Sequence, residues 1–461
     1  MGYRITEDLI VSKYKLLIYG VDKMNKEKIC CIGLGYIGLP TATMFAVNGH
    51  QVIGVDVQDH VIDTINDGDI HIEEPGLKEM VKGAVMEGNL SASLEPVEAD
   101  VFIIAVPTPL TENKTANLEY VKDATESILP YLKKDNLVII ESTIAPRTTE
   151  DVVLPILIKS NLELGEELFI AHCPERVLPG QIIQELVNNN RIIGGINEKS
   201  ALKARRIYKS FVQANMYITD ATTAEMVKLM ENTYRDVNIA LANELAKISE
   251  ENKIDIWEAI ALANKHPRVN VHLPGPGVGG HCLAVDPWFI VESAPEKAKM
   301  IELSRNINDS MPEFVVRNVK EILFGIADPK ISIFGITYKG NVDDLRESPV
   351  LEIIEILKSE NIDLGIYDPH ISEPQKSEYG LNELEESVSD SDIIIIGADH
   401  NEFEDIDPEK LVSEMRNTKV YDTKNILDKE KWEKAGFDVI KIGDYSDYAW
   451  HKEYGVDELD K

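Results

Sequence analysis

Between Lys28 and Asp56 the chain passes through a short apolar segment, a glycine-spaced turn, a helical stretch and a second apolar segment closed by an acid. Few folds accept that order. Lys28-Ile-Cys-Cys-Ile32 is too short and too uniformly apolar for an amphipathic helix, and it reads as a buried strand. Gly33-Leu-Gly35-Tyr36-Ile37-Gly38 follows at once, then a helical run through Val47, then Gln51-Val-Ile-Gly-Val-Asp56. Glycines at the first, third and sixth places of such a turn permit a tight bend, close approach of a pyrophosphate and packing of helix on strand. The helix N-terminus adds free N–H donors and a dipole that favours phosphate. Asp56 lies roughly twenty residues past the turn, where a carboxylate bonds a ribose 2′-hydroxyl and repels a 2′-phosphate. The expected cofactor is NAD, not NADP.

The rest of the chain extends this pattern. Val101–Val106, Leu137–Ile140 and Leu168–Ala171 read as further strands, each ending in a polar or proline-rich loop. From Thr222 to about Asn252 there is neither proline nor glycine, which predicts one long helix, and 253–265 is expected to continue helically. A second α/β unit opens near Lys330, with strands at Ile331–Phe334, Ile362–Asp368, Asp392–Ile396 and Lys419–Tyr421, and a helix opened by Ser348-Pro349-Val350. The expected fold class is α/β: two Rossmann-like, doubly wound parallel-sheet domains joined by a central helical domain. The boundaries are an N-terminal extension at 1–26, a dinucleotide domain at 27–220, a helical domain at 221–325 and a second α/β domain at 326–461. The acidic tail after Tyr445 is expected to be loosely ordered.

The formal net charge of −33 speaks against a nucleic-acid footprint, which needs basic patches. Only Cys30, Cys31, Cys173 and Cys282 occur, with no CxxC pair, so neither a disulfide framework nor a metal site is expected and a reducing cytoplasm fits. No run of eighteen apolar residues suggests a membrane span, and Leu16–Val21 is too short for a signal segment.

Chemistry concentrates around Gly275-Pro-Gly277-Val-Gly-Gly-His-Cys282-Leu-Ala-Val-Asp286-Pro-Trp-Phe289. A thiol on a glycine-rich loop can meet an electrophilic carbon, although a tight turn with an incidental cysteine is the plainer reading. Lys228, Asn232 and Arg235 stand at i, i+4 and i+7 of the long helix and share one stripe, whose plainer reading is a solvated face. Glu175 follows a strand end in His172-Cys-Pro-Glu-Arg176-Val177-Leu-Pro-Gly180. The second α/β unit has Gly335 and Gly340 but no GxGxxG. It offers Tyr338, Lys339, Arg346 and Lys424 at strand ends, suited to a diphosphate-bearing ligand. A nicotinamide site with a loop cysteine, a lysine and a carboxylate suggests an alcohol oxidised twice, through a thiohemiacetal and a thioester that water then releases.

In these residues the chain resembles the UDP-glucose/GDP-mannose dehydrogenase family, over about 27–445. The resemblance rests on the glycine turn with Asp56, Val106-Pro-Thr108-Pro, Glu141-Ser-Thr143, Pro174-Glu175, Lys228-x-x-x-Asn232, Gly279-Gly-x-Cys282-x-x-x-Asp286 and Asp344-x-Arg346-Glu-Ser-Pro349. It implies a four-electron, NAD-dependent oxidation of a nucleotide sugar at C6 by a homodimer or higher homo-oligomer, in glycan polysaccharide synthesis. Cys282 would be the nucleophile, with Lys228 and Asn232 at the reacting carbon, Asp286 supporting proton transfer and Glu175 assisting thioester hydrolysis. Gly33, Gly35, Tyr36, Ile37, Gly38, Asp56, Thr108, Thr143 and Arg346 would contact NAD. Arg176, Val177, Lys228, Asn232, Arg235, Gly277, Tyr338, Lys339 and Lys424 would contact substrate, as would His266 and Arg268 from a neighbouring subunit.

Two departures narrow the substrate. Pro179 stands where UDP-glucose enzymes carry a second glutamate, and Val285 where they carry lysine. Both are similar to the branch oxidising UDP-N-acetylhexosamines, and His281–Trp288 to sequences acting on UDP-N-acetyl-D-mannosamine. The alternatives are UDP-N-acetylglucosamine or UDP-glucose as substrate, a two-electron β-hydroxyacid-type dehydrogenase, and a non-catalytic nucleotide-sugar sensor.

Overall fold

The computed structural model describes residues 26–444, so the readings of the N-terminal extension before Lys26 and of the tail from Tyr445 lie outside the described residues. The chain divides into two compact units between Met230 and Glu231.

The first unit is built on eight strands: β1 (Lys28–Ile32), β2 (Gln51–Val55), β3 (Leu90–Ser93), β4 (Val101–Ile104), β5 (Asn136–Ile140), β6 (Leu168–His172), β7 (Arg191–Gly195) and β8 (Met216–Asp220), in the order β3-β2-β1-β4-β5-β6-β7-β8. Strand order reverses at β1, with β2 on one side and β4 on the other, so the glycine turn after β1 opens at the switch point where such sheets bind ligands. Alternating residues of β1 enter separate cores: Ile29 and Cys31 on one face, Cys30 and Ile32 on the other. Burial on both faces explains the uniformly apolar strands. The sheet is not wholly parallel, because β7 runs antiparallel to β6 before β8 pairs with it in parallel. Strands β3, β7 and β8 escaped the sequence. Leu90-Ser-Ala-Ser93 and Met216-Tyr-Ile-Thr-Asp220 are half-polar edge segments that lack the continuous apolar run of a central strand.

The helix Ala221–Asn252 passes from the first unit into the second. The expected continuation over 253–265 is broken. Lys253 takes a left-handed φ of +62°, and Asp255 opens a separate helix, Ile256–Ala263, by accepting from Trp257 N at 2.8 Å and Glu258 N at 3.2 Å. Asp286–Ser293, Lys299–Asp309 and Met311–Ile322 are further helices of the second unit. Its sheet is wholly parallel: β9 (Lys330–Phe334), β10 (Asp363–Tyr367), β11 (Ile393–Ile396), β12 (Lys419–Asp422) and β13 (Asp438–Lys441), in the order β10-β9-β11-β12-β13. Ser348 caps the helix Pro349–Ser359 by accepting from Val350 N. No helix among the described residues is long and apolar enough to cross a membrane.

Candidate active site

In the first unit the glycine turn is dictated by contact. A Cβ at Gly38 would land on the Gly33 carbonyl oxygen, so the helix Gly38–Val47 can start against the turn only without a side chain there. Gly35 is exposed, and a Cβ added there meets nothing within 4 Å: this is the open face where a phosphate can approach the backbone. Tyr36 and Ile37 flank it, half-buried. Asp56 accepts from Leu34 N at 3.1 Å and from Gln58 N at 3.1 Å, which aims a half-buried carboxylate beside the turn. Thr108 donates to Thr143 O at 2.6 Å, and Ser142 Oγ accepts from Val106 N at 2.9 Å, tying together the loops after β4 and β5. These residues fit a dinucleotide, with the carboxylate on its ribose and the turn on its pyrophosphate.

The loop after β6 belongs to the same unit. Glu175 is 8% exposed; its Oε1 accepts from Arg176 N at 2.9 Å and its Oε2 from Arg191 Nη2 at 2.5 Å. Three more side chains pin the loop that carries Arg176 and Val177. Glu185 accepts from Leu178 N, Asn189 donates to Arg176 O, and the buried Glu74 accepts from both Gly180 N and Ile182 N at 2.7 Å. Cys173 is a core thiol: it is fully buried, and burial pushes its thiol far up.

On the long helix Lys228 and Asn232 are buried and Arg235 is exposed, so the stripe is not a solvated face. In the second unit Asn232 Nδ2 donates to Asp286 Oδ2 at 2.5 Å. Asp286 opens the helix Asp286–Ser293, and its N–H donates to Cys282 O at 2.8 Å. The Cys282 side chain is exposed on the turn just ahead of that helix. The segment Tyr338–Pro349 shapes this turn. Gly280 N donates to Arg346 O at 3.0 Å, the Tyr338 ring lies where a Gly280 side chain would stand, and the Pro349 ring fills the same place at Gly277. Four residues that the sequence did not single out hold the loop from behind. Asp236 Oδ1 accepts from Arg305 Nη1 at 2.5 Å and Asn308 Nδ2 at 2.8 Å, Asn308 Oδ1 accepts from Asn243 Nδ2 at 2.9 Å, and Asn243 Oδ1 accepts from Gly275 N at 2.9 Å. Their one sequence signal is the heptad spacing of Asp236 and Asn243, polar residues on a long helix.

Among the expected cations, Lys424 Nζ lies 3.9 Å from Asp399, Lys339 is exposed, and Arg346 is bound through two nitrogens to Asp344 at 2.8 and 2.6 Å. His266 and Arg268 are both exposed. His370, His400 and Glu402 approach closely enough to hold a metal ion. His400, however, uses Nδ1 to accept from Asn341 N at 2.9 Å, and its Nε2 faces Thr337 and Asp368, each at 3.2 Å. That ring props the 337–341 loop.

Comparison with known proteins extends this geometry. Models of the UDP-glucose/GDP-mannose dehydrogenase family match over three stretches: the NAD binding domain at 27–212, the central domain at 222–310 and the UDP binding domain at 332–429. A UDP-N-acetyl-D-mannosamine dehydrogenase of Methanococcus maripaludis is 52% identical over 426 residues, covering 90% of this chain and 97% of that protein. An NDP-N-acetyl-D-galactosaminuronic acid dehydrogenase of Ralstonia nicotianae is 47% identical over 84% of this chain and 93% of its own. The solved structure of a UDP-D-ManNAc dehydrogenase from Pyrococcus horikoshii is similar at 41% identity with a TM-score of 0.85, covering 91% of this chain and 99% of that one.

Proposed function

Because the chain belongs to the UDP-glucose/GDP-mannose dehydrogenase family and is an NAD-dependent oxidoreductase, we propose that it oxidises UDP-N-acetyl-D-mannosamine at C6 to UDP-N-acetyl-D-mannosaminuronate. The reaction consumes two NAD and one water and yields two NADH and three protons. When bound, NAD accepts the hydride of each oxidation. The observation that carries the reading is the exposed Cys282, with its backbone carbonyl held by Asp286 N while the Asp286 side chain holds Asn232. In this reading the Cys282 thiolate adds to the C6 aldehyde. The second oxidation leaves a thioester on its sulfur, and water releases the acid. Lys228 and Asn232 stabilise oxygen charge at C6, Asp286 moves protons through water, and Glu175 assists hydrolysis. Arg176, Val177, Arg235, Gly277, Tyr338, Lys339 and Lys424 bind the UDP-sugar; Thr108, Thr143 and Arg346 bind NAD with the glycine turn.

Pro179 and Val285 support an N-acetylhexosamine, and the mannosamine-specific relatives support the manno epimer. Functional domains at 27–220, 221–325 and 326–461 accompany this reading. We assign a homodimer through the long helix, supported by Tyr234, Leu241 and Ile248, large exposed apolar residues at heptad spacing. His266 and Arg268 would then reach the neighbouring subunit's substrate. The cytoplasm, where four cysteines outside any disulfide are at home, and cell-surface polysaccharide synthesis complete the proposal.

A substrate panel tests it. Initial rates with NAD are expected to be highest on UDP-N-acetyl-D-mannosamine and at least tenfold lower on UDP-N-acetylglucosamine, UDP-N-acetylgalactosamine and UDP-glucose. A preference for any of the other three overturns the substrate assignment.

A further inference from the structure

Behind Glu175 lies a buried ionic group whose parts have no role in the chemistry above. Arg191, at the start of β7, is 4% exposed, and its guanidinium serves two carboxylates, Glu175 at 2.5 Å and Glu141 at 3.5 Å. Glu141 follows β5 directly, two residues before Thr143, and is 2% exposed. The Tyr208 hydroxyl donates to Glu141 Oε1, while Glu141 Oε2 is buried without a hydrogen-bond partner. The Arg191 guanidinium also stacks on the Tyr208 ring at 4.1 Å. With both carboxylates ionised, one buried cation between them leaves a net negative charge, an arrangement that stability alone does not favour.

We propose that Arg191 and Glu141 are positioning residues for Glu175, with Arg191 fixing its carboxylate for thioester hydrolysis and Glu141 competing for the same guanidinium so that Glu175 does not hold it alone. This rests on the reading that Glu175 assists release of the acyl group from Cys282. A carboxylate held one-to-one by an arginine is a weakened base. Glu141 draws off part of that pull. Burial pushes the Glu141 carboxyl up to about 7 against the pull of Arg191, and Glu175 adds to the push. The groups that face it are Arg191, Glu175, Tyr208, Thr41, Cys31 and Cys173. Cys31, Cys173 and Tyr208 are all pushed up in turn, which leaves Glu141 as the member of this group that burial brings to titrate near neutrality. As pH rises through 7, Glu141 ionises, competes for Arg191, and hydrolysis quickens.

The test is the fraction of Cys282 carrying an acyl group during turnover. It is read by intact-protein mass spectrometry after quenching the full-length enzyme with saturating UDP-N-acetyl-D-mannosamine and NAD, from pH 6 to 9. Glu175→Gln should raise that fraction at least tenfold. Glu141→Gln, isosteric and able to accept from Tyr208, should raise it at least threefold at pH 8 and abolish its fall between pH 6 and 8, with KM for the sugar within twofold of wild type. Arg191→Lys keeps the charge but cannot span both carboxylates, and it should raise the fraction at all pH values. If Glu175→Gln accumulates no acyl enzyme, the hydrolytic reading of Glu175 fails. If it does accumulate, and Glu141→Gln keeps the wild-type fraction and pH dependence, the positioning assignment is overturned, whether or not Arg191→Lys folds.

Discussion

The first and second sheets bend after their opening strands by one device. Gly33 N donates to Val55 O and Gly335 N to Tyr367 O, both at 2.8 Å. Asp56 accepts from Leu34 N and Gln58 N, and Asp368 accepts from Ile336 N and His370 N, at matching places. Even the strand entries repeat, with Lys28 N on Asp100 and Lys330 N on Asp392, each at 2.9 Å. The two turns then part. Gly35 faces open space, whereas its counterpart Thr337 is buried, donates to Lys339 O at 2.9 Å and touches His400. A helix starts at Gly38 in the first sheet; in the second none starts before Pro349. Asp56 stays half-buried, while Asp368 is 1% exposed and taken up by His400. A shared backbone does not make a shared ligand site. What decides it is whether the turn is left open or filled by its own side chains.

The largest expected effect breaks the open turn. Gly35→Val should weaken NAD binding at least 100-fold by calorimetry, about 2.7 kcal/mol, and leave UDP binding unchanged. Unaltered NAD affinity would place the cofactor elsewhere. The converse, Thr337→Gly, should leave NAD stoichiometry at one per chain; a second bound equivalent would show that the side chain alone closes that turn. Next comes Asp368→Asn, which leaves one acceptor where two backbone N–H groups and His400 now converge. Chemical denaturation should show a loss of about 2–3 kcal/mol with NAD affinity intact. A smaller shift is expected for Asp56→Ala: NAD about tenfold weaker, near 1.4 kcal/mol, and discrimination against NADP relaxed. A wild type that already accepts NADP as readily as NAD would overturn the ribose assignment. The smallest effect concerns Glu141. Its folded pKa, about 7, lies above the 4.5 of an ordinary glutamate, so its stabilising contribution is present below that value and lost as pH rises through 7. The melting temperature of Glu141→Gln relative to wild type should therefore climb between pH 5 and 8, and a constant difference would mean that Glu141 stays ionised throughout.

The central strands, both acid-ended second strands and the long helix were legible because burial on two faces demands apolar runs and a glycine turn demands fixed spacing. Edge strands β3 and β8 were not, since half-exposed segments carry mixed sequence. The reversal of β7 has no local signature either, because strand direction is set by the connections around it. The helix break at Lys253 was hidden by a residue type that seldom takes positive φ. Among the candidate residues, Cys282, Lys228, Asn232 and Glu175 announced themselves through motif spacing. Asp236, Asn243, Arg305 and Asn308 did not, because their work is with one another across distant parts of the chain, and only the folded structure brings such partners together. Arg191 shares that history, lying 16 residues from Glu175 and 50 from Glu141.

The most direct test of the account is the number of NADH formed per UDP-N-acetyl-D-mannosamine consumed, with NADH read by absorbance and the sugar by chromatography in one reaction. Two oxidations through a cysteine-bound thiohemiacetal predict two NADH and a uronate product. One NADH with an aldehyde product would contradict it and return the Cys282 loop to a turn that merely contains a cysteine.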